Sequence, residues 1–242
     1  MRGGAVSVGA VLLAELEIFH SRPIAPTRRV ALGARLLPVD AAPGFGGLLL
    51  GAVVAAHMDE LDDDFVPELV NLLADLEAGR RIAQPRLRHR FQVDHHGLAK
   101  STHRLLGRGD ELAFELHDEG SAESQILGAA YAAGRVDLRH RPAVMEVLRR
   151  ATRWRGEVGP ALVGHLTGAS RVRARSAGAF AHPEMWAMSV LGFADGAVPA
   201  RRDVQRRFRT LVRDAHPDHG GIELSAAERI AELAEARDIL LA

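Results

Sequence analysis

The sequence predicts an α+β region over residues 1–168, a linker over 169–183 and an all-helical segment over 184–242. Three observations predict it. Apolar and polar residues alternate in several stretches before Ser121, the period of half-buried antiparallel strands. Helical spacing takes over between Gly46 and Glu77, returns from Ser121, and dominates the carboxy-terminal end. Between the two regimes, HLTGASRVRARSAGAFAHPE has the small, polar and basic make-up of a connecting segment, which puts the boundary near Ala169–Pro183.

Taken in order, Val6–Phe19 and Arg28–Val39 read as extended. The proline-marked reversal HSRPIAPTRR joins them into a hairpin. The uncharged run GFGGLLLGAVVAA, from Gly44 to Ala56, is well short of the ~20 residues a membrane-spanning helix requires, so it reads as a buried helix and no membrane span is expected. Phe65–Glu77 follows as a second helix, with Val66, Leu69, Val70, Leu73 and Leu76 on one face. The acidic Asp62, Asp63 and Asp64 precede it, where a helix amino terminus favours negative charge. RLRHRFQVD, GLAKSTHRLL and ELAFELHD read as consecutive antiparallel strands, the last two parted by the turn residues Gly107 to Asp110. Ser121 is a natural cap for a helix over Ala122–Ala133, and Pro142 opens another that runs to Thr152.

Lysine plus arginine equals aspartate plus glutamate at 31 each, so no net field recruits nucleic acid, membrane or a polyacidic partner. The absence of cysteine excludes disulfides, thiolate zinc sites and a cysteine nucleophile, and fits a reducing, cytoplasmic setting. At the amino terminus Glu15 and Glu17 interrupt the apolar stretch before a signal peptide is complete, so it reads as a strand. There is no phosphate-cradling glycine motif with a lysine, and no nucleophile elbow; no cofactor is expected and the chain does not read as an enzyme.

The most informative segment is VPARRDVQRRFRTLVRDAHPDHGGIELSAAERIAELAEARDILLA. Val204, Phe208, Leu211 and Val212 recur at helical spacing, as do Ile230, Leu233, Ala236 and Leu240. Between them HPDHGG breaks the helix at Pro217, and its paired glycines permit a reversal. An antiparallel helical hairpin follows, with His216, Pro217 and Asp218 at its tip. The first helix is basic, carrying Arg201, Arg202, Arg206, Arg207, Arg209 and Arg213 against Asp203 and Asp214. The second is acidic, with Glu223, Glu228, Glu232, Glu235 and Asp238 against Arg229 and Arg237. Exposed pairs along the shared edge contribute little each, so the surplus of arginines reads as a docking face for an acidic partner. Arg201, Arg202 and Arg207 taken singly read as solvated helix residues.

This segment resembles the J-domain (DnaJ-like) co-chaperone family. The resemblance rests on Leu191-Gly192-Phe193, on DVQRRFRTLVRDA, on His216-Pro217-Asp218 with Gly220-Gly221 behind it, and on RIAELAEARDIL. It covers about the last quarter of the chain. It implies docking on a DnaK-family chaperone ATPase and stimulation of that partner's ATP hydrolysis during protein folding. It implies that the J-domain is an ATPase stimulator and not itself a catalyst. His216, Pro217 and Asp218 match the signature, and Asp218 is expected to meet a cationic group on the ATPase. Arg206 and Arg209 match basic docking positions, and Arg213 joins them as a candidate partner-binding residue. Phe208 stands at the usual tyrosine position, Gln205 where a basic residue is common, and Arg237 for a frequent tyrosine. These departures bear on affinity and partner choice.

Residues 1–168 would then recruit an unidentified client or site. The alternative is an enzyme or nucleic-acid-binding amino-terminal domain with an accessory J-domain. Two features carry that alternative. His89, His95, His96, His103 and His117 cluster in the strand region with Asp94 and Asp118, although period-two alternation parts His95 from His96, so surface or turn histidines are the favoured reading and no metal is expected. Ten arginines face three acids between Arg135 and Arg175, around Trp154; contact with nucleic-acid phosphates is the less favoured reading beside a solvated helix and linker.

Overall fold

The computed structural model describes residues 10–22, 28–108, 111–117, 119–168, 181–194, 196–215 and 223–242, with side chains from 229 onward in the last stretch. The architecture is α+β overall, and the chain divides into two units, Met1–Thr167 and Gly168–Ala242.

In the first unit, β1 (Val11–His20) is the centre of a five-stranded sheet of order β3-β2-β1-β4-β5. Its even residues Ala14, Leu16, Ile18 and His20 are buried and its odd ones only half so, the pattern of a strand covered on one face. β2 (Arg28–Leu36) pairs antiparallel along one edge of β1 and β4 (Ala99–Arg108) along the other. β5 (Glu111–Glu115) continues antiparallel from β4. The uncovered face carries cross-strand ion pairs, Arg104 with Glu15 and Lys100 with Glu17, each at 2.7 Å.

Two helices, α1 (Gly44–His57) and α3 (Ala122–Gly134), pack on the covered face. α1 is apolar on all sides because it is sandwiched: the sheet lies beneath it, and α4 (Arg141–Ala151) and α5 (Pro160–Thr167) lie against it. Leu48, Leu49, Leu50, Ala52 and Val53 are all fully buried. Close approach is built in, since a Cβ at Gly51 would lie 2.7 Å from Val147 Cγ1 and one at Gly128 would lie 2.5 Å from Ile18 Cδ1. α2 (Val66–Glu77) packs on α3 and α4 through Leu69, Leu72, Leu73 and Leu76. The Ser121 hydroxyl caps α3, accepting from the Ser124 amide at 3.3 Å. Asp62 accepts from the Asp64 amide at 3.0 Å and opens the short turn before α2.

One strand is placed otherwise than its sequence suggests. β3 (His89–Phe91) does not join β4 and β5 in an antiparallel series; it pairs in parallel with β2 at the opposite edge of the sheet. The chain between β2 and β3 passes through α1 and α2, the long crossover that a parallel pair needs. A two-residue reversal leads in, with Leu87 at φ 46° and Arg88 at φ 58°, and Arg86 and His89 exchange both backbone hydrogen bonds across it. Leu87 occupies this left-handed position while fully buried.

The described part of the second unit is helical: α6 (Pro183–Val190), α7 (Arg201–Asp214) and α8 (Glu223–Leu241). Ala187, Leu191, Val204, Leu233 and Ala236 form its buried centre, flanked by half-buried Trp186, Phe193, Phe208, Leu211 and Leu240. The start of α7 and the end of α8 share one cleft, lined by Arg201 and by Leu241 and Ala242, so the two helices run antiparallel. Most of the predicted linker, residues 169–180, lies outside the described residues.

Candidate partner-docking surface

The burial of Val204 sets the orientation of α7. With Val204 inward and Phe208, Leu211 and Val212 half-buried beside it, the helix turns Arg201, Arg202, Gln205, Arg206, Arg209 and Arg213 to solvent. Arg206, Arg209, Thr210 and Arg213 line a shallow groove of about 390 Å³. Arg206 meets Asp203 at 2.7 Å, and Arg213 lies 3.9 Å from its neighbour Asp214. Among the described residues no carboxylate pairs with Arg209. The helix ends at Asp214, with the Ala215 amide closing its last turn on the Leu211 carbonyl. His216, Pro217 and Asp218 come next in the chain and lie outside the described residues.

Two arginines of this unit do something the sequence did not disclose. Arg207 is no free surface charge: its Nε donates to the Leu191 carbonyl at 2.9 Å. Arg229 donates to the neighbouring Val190 carbonyl at 3.3 Å and pairs with Glu232, which is buried. Both guanidinium groups therefore satisfy carbonyls at the carboxy-terminal end of α6, where the helix dipole favours positive charge. Gly192 follows at φ 70°, and a Cβ there would lie 2.8 Å from Arg207 Nη2. The Leu191-Gly192 pair is thereby tied to α7. Arg237 of α8 stacks over the Phe208 ring at 4.6 Å and is held by Asp238. Arg237 and Phe208 line a cleft of about 550 Å³ together with Arg201, Gln205 and Arg209.

In the first unit the histidines separate. His95 stacks on Phe19 at 4.1 Å on the uncovered sheet face, and its Nε2 donates to the Leu32 carbonyl. His96 is exposed in a turn, its amide bound to Asp94 Oδ1 at 3.0 Å. His103 is fully buried on the opposite face beside Leu16 and Gln125. His95, His96 and His103 therefore do not converge, and no group of three metal-ligating side chains forms among the described residues. In the arginine-rich stretch, Arg149 pairs with Glu77 at 2.8 Å and Glu146 at 3.0 Å, Arg150 with Glu146 at 3.2 Å, and Arg155 with Asp59 at 3.4 Å, while Arg171, Arg173 and Arg175 lie outside the described residues. No helix is long and apolar enough to cross a membrane among the described residues.

What sequence reasoning missed in this unit is a buried polar network. His103 Nδ1 accepts from the His117 amide at 3.2 Å, so Nε2 carries the proton and donates to Gln125 Oε1 at 2.9 Å. The Gln125 amide nitrogen then donates to Ser101 Oγ at 2.8 Å and to the Glu119 carbonyl. Ser101 donates to that same carbonyl at 2.9 Å and accepts from His20 Nε2 at 2.9 Å. Burial drives His103 down to about 4 from the ordinary 6.5, and lowers His20 and His89 as well. The one available signal was that His20 and His103 fall on the buried phase of their strands.

No protein-family model, curated protein or solved structure matches this chain.

Proposed function

We propose that this protein is a J-domain co-chaperone: its second unit docks on a DnaK-family ATPase and stimulates hydrolysis of the ATP bound there, while the first unit recruits a client. The observation that carries this reading is the exposed arginine row Arg206, Arg209 and Arg213, opposite the buried Val204 and leading along the chain into His216-Pro217-Asp218. An acidic surface meeting that row gains long-range steering and several charge-assisted contacts, and Asp218 adds a carboxylate for a cationic group on the same partner. The antiparallel packing of α7 on α8 and the anchoring of α6 by Arg207 and Arg229 support it, because they hold the row straight and its inner face covered.

The test is single-turnover ATP hydrolysis by the cognate DnaK-family ATPase, with and without the full chain. Stimulation is expected, and Asp218→Asn is expected to abolish it while leaving the helical circular dichroism unchanged. No stimulation, or equal stimulation by the variant, overturns the proposal.

A further inference from the structure

The parallel placement of β3 brings two arginines side by side. Arg90 lies directly across from Arg29 in the ladder, on strands about 4.8 Å apart. The next pair along is Val30 with Phe91, and Phe91 stacks at 4.1 Å on Tyr131 of α3. That pair therefore looks toward the helices, and Arg29 and Arg90 project from the uncovered face. Like charges directly opposite destabilise a sheet unless something neutralises them. Among the described residues neither arginine is in an ion pair. The guanidinium of Arg29 donates only to the His96 carbonyl, at 3.4 Å, and Arg90 is exposed with no side-chain partner.

The acids beside this pair have partners of their own. Glu17 is held by Lys100 at 2.7 Å and by the Ala34 amide at 3.0 Å, and Asp94 Oδ1 accepts from the His96 amide at 3.0 Å. Next to His96, the ring of His95 lies flat on Phe19, with centroids 4.1 Å apart and planes 4° from parallel, and its Nε2 donates to the Leu32 carbonyl at 3.0 Å. One face of that imidazole is spent on Phe19. His95 is exposed, so the other face of a ring already fixed in place is open to water. A flat aromatic surface beside two unneutralised guanidinium groups matches a ligand that carries both a ring and negative charge. The chain's net charge of zero does not oppose this, because screening confines the relevant field to about 8 Å.

We propose that this part of the uncovered sheet face binds single-stranded nucleic acid, one unpaired base stacking on the outer face of His95 while neighbouring phosphates neutralise Arg29 and Arg90. An acidic peptide would satisfy the arginines and leave the ring unused, and a duplex keeps its base faces stacked inside. Stacking accepts every base, so the surface selects unpaired strand rather than a particular sequence. The binding is independent of the docking proposed for the second unit.

Fluorescence anisotropy of the full chain with a labelled single strand of about twelve nucleotides, repeated over a range of salt concentrations, tests this. Saturable binding is expected, with weaker binding of the matching duplex and of a polyglutamate peptide. Because α7 is also basic, variants locate the site. His95→Ala should weaken binding about tenfold and leave the salt slope unchanged, whereas His95→Phe keeps the ring and should bind at least as tightly as the wild type. Arg90→Gln should instead reduce the slope of log K against log salt by about 0.7, the contribution of one phosphate contact on a single strand. Its melting temperature should be no lower than that of the wild type, since it relieves a like-charge pair. No saturable binding up to about 100 μM protein, equal affinity for polyglutamate, or binding that either His95→Ala or Arg90→Gln leaves unchanged overturns the proposal. Should His95→Ala fail to fold, the His95 ring resonances of the wild-type protein decide: an upfield shift on adding the strand supports stacking, and no shift overturns it.

Discussion

The two units invest their polar residues in opposite ways. The first hides them: four histidines, Ser101, Ser124 and Gln125 are buried around a sheet and two layers of helix, and the polar hydrogen bonds among them run inward. The second displays them: among its described residues the fully buried apolar centre is five aliphatic side chains, and most of the arginines face water on α7. A large apolar core can pay for a buried polar network because each satisfied group costs little once paired. The smaller core described in the second unit leaves less room for that: Glu232 is buried only in its pairing with Arg229, and the other charges of α7 stay outside, where they are available to a partner.

Several outcomes would break or sharpen this contrast. The largest effect is expected from truncating the small core. Leu233→Ala should cost ~3 kcal/mol, comparable with all that so small a core supplies, and abolish the helical signal and melting transition of the second unit while the first still melts cooperatively. The equivalent cut in the first unit, Leu49→Ala, should lower its melting temperature without unfolding it.

Next in size is acid. His103 contributes stability that is complete above pH 6.5 and declines toward pH 4, so the first unit should lose ~2 kcal/mol between pH 7.5 and 5, measured by urea denaturation at each pH. The second unit, in which no described histidine is buried, should show no comparable decline over that range. If the proposed docking holds, Arg209→Glu should weaken binding to a DnaK-family ATPase about tenfold, or ~1.4 kcal/mol, and flatten its salt dependence with little change in melting temperature. Ser121→Ala, which removes the cap of α3, should cost ~1 kcal/mol in the first unit alone.

Much of this molecule could be read from periodicity. The hairpin of β1 and β2, the buried α1, the Ser121 cap and the two amphipathic helices α7 and α8 all follow from spacing that places apolar side chains on one face. The arginine row was legible for the same reason, since Val204 inward puts Arg206, Arg209 and Arg213 outward. The partner of β3 was not legible. His89–Phe91 has the same local pattern whether it lies beside β2 or β4, and the choice depends on where the crossover through α1 and α2 sets it down.

Residue chemistry and spacing along the chain were sufficient for the elements, their inward faces and the motif that suggests a function, because those depend on a helix or strand period that is local. Long-range packing alone decided which polar groups met. Arg207 reached the end of α6, Arg237 found Phe208, and His103 and His20 came together with Gln125 from a distant helix. Such encounters carry no local signature, since the same side chain is a solvated charge or a buried hydrogen-bonding partner according to what the fold brings within 3 Å of it.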